Sequence, residues 1–195
     1  MPWEKTFNED HAIDAAMTLF WEKGYTDTSM ADLLKTTRLT KGSFYNAFNS
    51  KHKLFVKALL KYDVEHRRVL LQELVALDSP LEAIEAFMNA IIAECSEDRD
   101  KKGCFLVNTS LHLRSHQPEV QQIVINGFKE VETFFKQMIE LGQMRGQIAK
   151  SIHSQDTAKA LMGTVIGLRV LGRGVYDKAD LQAMAEQSLN LIREH

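Results

Sequence analysis

The sequence predicts an all-α protein: a small helix-turn-helix head followed by a larger helical body. Three observations carry that expectation. The chain of 195 residues is 45% apolar, enough for a real core. It holds only three prolines and ten glycines, and no long apolar/polar alternation of the kind a strand needs. The stretch from Ser29 to Phe55 reads as two short helices meeting at a tight turn.

The head begins with a helical stripe, Ile13, Ala16, Met17 and Phe20, that ends in Lys23-Gly24-Tyr25. Thr28-Ser29 opens the second helix, with the Thr28 hydroxyl as the expected N-cap and Met30, Leu33 and Leu34 turned inward. Arg38 falls at the turn, where a positive φ would cost about 1 kcal/mol. Leu39, Phe44 and Phe48 then face the core. Thr40, Lys41, Gly42, Ser43, Tyr45 and Asn46 are left on an outer face slim enough for a major groove about 12 Å wide. Between Leu33 and Tyr62 the bases are Lys35, Arg38, Lys41, Lys51, Lys53, Lys57 and Lys61, with no Asp or Glu. The net charge of the whole chain is -2, which argues against a diffuse polyanion-binding coat and for local, salt-sensitive contact with double-stranded DNA. Thr40, Lys41, Tyr45 and Lys51 suit phosphates, and Ser43 and Asn46 suit base edges. A helical hairpin with incidental surface lysines would share the charge but not the spacing.

These residues resemble the TetR family of one-component transcriptional regulators. The family pattern T-S-x-x-D-[IL]-A-x-x-A-G-V-[ST]-x-G-[ST]-[LF]-Y-x-x-F-x-[ST]-K-x-x-L-[FL] is met by Thr28-Ser29, Asp32-Leu33, Leu39-Thr40, Gly42-Ser43-Phe44-Tyr45, Phe48, Ser50-Lys51 and Leu54-Phe55. Arg38 departs from it, since glycine is usual there. Asn46-Ala47 departs where larger residues are common, and the opening MPWEKTF offers only Lys5 for a minor-groove arm. The resemblance implies a DNA-binding domain over 1–50, an effector-binding and dimerisation domain over 51–195, and a pseudo-palindromic operator.

In the body, Ser50 caps a long helix to about Leu77, with Leu54, Leu59, Val64, Leu70 and Leu74 as its apolar positions. Ser79-Pro80 starts the next, which runs to about Cys95. A polar stretch, Ser96 to Lys102, precedes a helix near Gly103, and Gln117-Pro118 opens one that ends near Gln143. Two final helices span about Asp156–Gly172 and Ala179–Arg193. The first is apolar on nearly every side, with Gly163 and Gly167 four apart. Leu161, Val165 and Leu168, with Leu181, Met184, Leu189 and Ile192 of the last helix, are the expected homodimer interface, similar to the TetR four-helix dimer; a protomer core covered from both sides would show the same pattern.

Phe87, Met88, Ile91, Phe105, Phe128, Phe134, Phe135 and Met138 suit an apolar effector pocket and equally suit plain core. Cys104 follows Arg99, Lys101, Lys102 and Gly103 at a helix start, where cations and the helix dipole favour thiolate. Gly103-Cys104-Phe105-Leu106-Val107-Asn108 resembles a segment in a branch of TetR-family regulators, some of which sense electrophiles or oxidants through a cysteine here. A buried small apolar residue is the other reading. His112 and His116 have the spacing of two ligands on one helical face, the start of a metal-responsive site and no more.

No cofactor is expected. Glu-x-x-His pairs for a helical di-metal enzyme are missing, and a thiol-dependent enzyme would need a base beside Cys104. The first residues lack signal-peptide features, and the apolar run from Ala160 to Leu168 is bounded by Lys159 and Arg169, too short for a membrane span. Together these features predict a cytoplasmic homodimeric repressor released from DNA by a small molecule or by thiol modification.

Overall fold

The computed structural model describes residues 8–193, so Lys5 lies outside the described residues. The described residues form helices without strands. In the head, α1 (Glu9–Lys23), α2 (Met30–Thr37) and α3 (Lys41–Phe48) pack with the start of α4 (Lys51–Tyr62) around Phe20, Leu33, Phe44, Phe48, Leu54 and Phe55, all fully buried. Each helix starts on a capping side chain: Asn8, Ser29, Thr40 and Ser50.

The cap of α2 corrects the sequence reading. Ser29, not Thr28, accepts from the Asp32 amide, and Asp32 returns the bond to the Ser29 amide at 3.0 Å. Thr28 is fully buried, its hydroxyl donating 2.7 Å to the Gly24 carbonyl. Arg38 does adopt φ 57°, the left-handed conformation that closes the turn.

The expected long helix after Ser50 is continuous but not uniform. A π-helical segment, Asp63–Arg68, separates α4 from α5 (Val69–Val75). Its first residue, Asp63, is 2% exposed. A buried carboxylate needs partners, and the widened turn brings both Arg67 (Nε to Oδ1 2.6 Å, Nη2 to Oδ2 2.8 Å) and Arg68 (Nε to Oδ2 3.1 Å) onto it. Glu130 accepts from Arg67 at 2.8 Å and thereby ties the turn to α8. Gly127 makes room: a Cβ there would sit 3.5 Å from Arg67 Nε and 3.2 Å from Leu106. Val64, expected inside, is about half exposed because the π turn shifts the register.

The body is a bundle of α6 (Pro80–Glu97), α8 (Pro118–Met144), α9 (Ser154–Leu171) and α10 (Lys178–Leu189), with the short α7 (Phe105–Ser110) laid across it. Its core holds Ile84, Phe87, Met88, Phe135, Leu161 and Leu168. The expected dimer residues are corrected here. Leu161, Val165, Leu168, Leu181, Leu189 and Ile192 are buried in the protomer's own core, with half-buried Met184 packed against it, because α10 and α6 cover that side of α9. Met184 also closes over Gly167, whereas Gly163 faces open space.

Replacing Asp63 with asparagine leaves two guanidinium groups short of their shared charge. We expect a stability loss of about 3 kcal/mol, read from chemical unfolding; an unchanged midpoint would mean Glu130 alone suffices.

Candidate nucleic-acid interface and body cavity

The turn between α2 and α3 presents a polar, cationic edge. Ser29, Arg38, Thr40, Lys41, Gly42, Tyr45 and Asn46 are exposed, Tyr45 by 41%. Ser43 is half-buried and partly engaged: its amide donates to Thr40 Oγ1 at 3.2 Å, and Thr40 Oγ1 donates to its hydroxyl at 2.9 Å. Asn46 stands one turn further along the same helix. Gly42 has nothing within 4 Å of where a Cβ would be, so no contact within the protein calls for glycine there. Thr28, being buried, offers nothing to a duplex.

Charges that are unopposed along the chain are partly opposed in space. Lys53 pairs with Glu119 at 2.9 Å, Lys57 with Glu9 at 2.5 Å, and Lys61 with Asp14. Lys51 lies 4.4 Å over the Tyr25 ring; burial lowers its pKa, against the pull of Asp27. Lys35, Arg38 and Lys41 make no ion pair among the described residues. The positive field is therefore concentrated at the turn and the start of α3. Asp32 holds the other end of α2, in the capping box with Ser29, its pKa held at about 2 by the Ser29 amide, the Ser29 hydroxyl and Lys23.

The body holds a small, partly open cavity of about 50 Å³, walled by α4 through α9. Of the expected lining residues, Phe87, Ile91 and Phe128 reach it, as does Cys104. Met88, Phe105, Phe135 and Met138 do not; they are core residues, as is Phe134. Sequence reasoning missed the polar lining: Tyr62, His66, Arg67, Glu94 and Arg169. Arg169 interrupts an otherwise apolar helix, which was the available signal. Its side chain is 11% exposed and bonds Glu94 at 2.7 Å. Burial alone would lower its pKa, but Cys104, Glu94 and Tyr62 together hold it above the usual range. Burial, then the adjacent Cys104, holds the Tyr62 hydroxyl well above its ordinary value. Cys104, half-buried, thus shares a wall with a buried cation. Cys95 is buried, its thiol 3.7 Å from the Leu168 carbonyl and raised in pKa mainly by that burial.

The two histidines part company. His112 is exposed, whereas His116 stacks on Phe55 at 5.5 Å and meets Tyr25 edge-on. Among the described residues no group of three metal-ligating side chains gathers there or elsewhere. No described helix is long and apolar enough to cross a membrane.

A capped helix-turn-helix with its cations at the turn, carried on a helical body with an internal cavity, defines a DNA-binding regulator rather than an enzyme. Residues 12–58 match the model of bacterial regulatory proteins of the tetR family, and residues 80–188 match the tetracyclin repressor-like C-terminal domain. The chain belongs to the tetR family. It is 28% identical to the HTH-type transcriptional repressor ComR of Escherichia coli K12 over 191 residues, covering 97% of this chain and 91% of that protein. It superposes with a TM-score of 0.84 on a cysteine mutant of the TetR family regulator CifR complexed with 26-bp operator DNA, at 26% identity, covering 96% and 97% of the two chains. The reduced form of E. coli NemR shares the fold, with a TM-score of 0.81 at 21% identity over 94% of this chain and 96% of that one.

Gly42→Ala should leave stability unchanged or raise it by about 0.5–1 kcal/mol, as alanine does in a helix, while weakening DNA binding in a gel-shift titration. Parent-like binding would show that the backbone at Gly42 does not approach DNA. Asp32, with its lowered pKa, contributes stability above the unfolded value of about 4 and loses it as pH falls towards 2. Thermal melts should fall across that window in the parent and less so in Asp32→Asn.

Proposed function

We propose that this chain is a cytoplasmic, homodimeric transcriptional repressor whose release from a pseudo-palindromic operator is triggered inside the body, by a ligand in the cavity or by modification of Cys104. The observation that carries the reading is that Cys104, Arg169 and the helix leading to the head line one cavity. The relatives support it: ComR is named a repressor, and the CifR mutant was captured on operator DNA.

The working division is a DNA-binding domain over 1–50 and an effector and dimerisation domain over 51–195. Ser29, Thr40, Lys41 and Tyr45 hold phosphates, Arg38 and Lys51 supply charge at the flanks, and Ser43 and Asn46 read base edges through a groove that Gly42 leaves open. Because the inward face of α9 is used within the protomer, the partner packs on its outer stripe of Ala160, Gly163, Thr164 and Val170. Two heads about 34–36 Å apart then engage successive major grooves. Effector binding favours a body state in which that spacing is lost.

Lys41→Ala and Tyr45→Ala should weaken operator binding while leaving the dimer intact by light scattering. Lys41→Ala should also reduce the log–log salt slope by about 0.9 for each head, about 1.8 for the dimer; two variants that bind like the parent would place the reading face elsewhere. Thiol alkylation should release DNA from the parent and not from Cys104→Ser. Release from both would shift the trigger away from Cys104.

A further inference from the structure

Arg67 is the cavity residue whose hydrogen bonding is incomplete. Its side chain is 9% exposed. Nε and Nη2 form one edge of the guanidinium, and both donate to carboxylates, to Asp63 at 2.6 and 2.8 Å and from Nη2 to Glu130 at 2.8 Å. Nη1, on the other side, is buried and has no hydrogen-bond partner. A buried donor left over in this way is rare, and it calls for an acceptor. Arg67 also lines the cavity, so a small shift of its guanidinium would offer Nη1 to an acceptor held there.

We propose that the cavity is a carboxylate site: Arg67 Nη1 donates to the acid group of a compact, otherwise apolar monocarboxylate whose body lies against Phe87, Ile91, Phe128 and Val165. This rests on the reading of the cavity as the effector site and specifies its ligand. Of the charged lining residues, Arg67 and Arg169 outnumber Glu94, and Glu94 is already bonded to Arg169. Asp63 does not line the cavity and is taken up by Arg67 and Arg68. An incoming carboxylate meets a cation in surroundings from which water is largely excluded, where a charge-assisted bond is strong. The remaining walls are mostly apolar, which disfavours sugars. The guanidinium that meets the ligand also holds the π turn between α4 and α5, and α4 begins in the head. Occupancy therefore acts on the segment that positions the DNA-reading helices.

The test is calorimetric titration of the full-length dimer with benzoate and with its uncharged relative benzamide. Benzoate should bind once per protomer, and benzamide about tenfold more weakly or worse, as loss of a charge-assisted bond requires. Ile166→Trp, which fills the cavity from α9 and replaces no member of the Asp63 network, should abolish benzoate binding while keeping the parental circular dichroism. Arg67→Lys should weaken it, and the Arg67 side-chain ¹⁵N resonance of the parent should shift on titration. Equal affinity for the two compounds, benzoate binding that survives Ile166→Trp, or no benzoate heat at millimolar concentration would each overturn the proposal. DNA binding is measured separately. Benzoate that binds as described without releasing DNA upholds the carboxylate site and overturns the effector reading; release on Cys104 alkylation with no benzoate binding does the reverse.

Discussion

The head has no closed core without the body. Phe105, at the first turn of α7, packs edge-on against Phe55 at 5.6 Å and Tyr62 at 5.7 Å, and stacks on Trp21 at 6.4 Å. Trp21 Nε1 donates to the Gly103 carbonyl at 3.0 Å, fixing the same junction by a directional bond. Leu106, Val120 and Val124 complete the cluster from the body side. Most of the structure's functional logic follows from this shared aromatic knot. Close-packed interiors transmit displacement instead of absorbing it, so α7 cannot move without disturbing α1 and α4.

The cavity is attached to that knot. Cys104 and Val107, on either side of the Phe105-Leu106 pair, face the cavity, and Leu106 belongs to both surfaces. Tyr62 and Arg67, which also line the cavity, lie just before and within the π turn. A buried ionic cluster such as Asp63, Arg67, Arg68 and Glu130 contributes less net stability than apolar packing of the same volume. It does, however, fix one register of the helix, that of the π turn.

Much of the architecture was legible in the sequence because its signals are local. The apolar spacing of the head, Arg38 at the turn, and the starts at Ser79-Pro80 and Gln117-Pro118 all appear where periodicity and capping chemistry place them. The cap of α2 was misplaced by one residue because two hydroxyl residues adjoin; the Ser29-x-x-Asp32 box was the deciding signal. What could not be read depends on which surface covers which. An apolar α9 does not say whether α10 or a second subunit packs on it, an aromatic residue does not say whether it borders a cavity or fills one, and no local pattern marks the π turn. The acid-free run was real along the chain, but Glu9, Asp14 and Glu119 arrive from other helices.

Those three acids have a consequence for how the protein finds its site. Each lysine they engage on α4 is one cation fewer for a passing duplex to recruit, so the sequence-independent part of the affinity rests on a small set of residues around one turn. A chromosome offers an enormous excess of wrong sites, and a regulator that grips them all is depleted before it reaches the right one. Intramolecular neutralisation shortens each unproductive visit. The fold thus trades strength of grip for freedom to search.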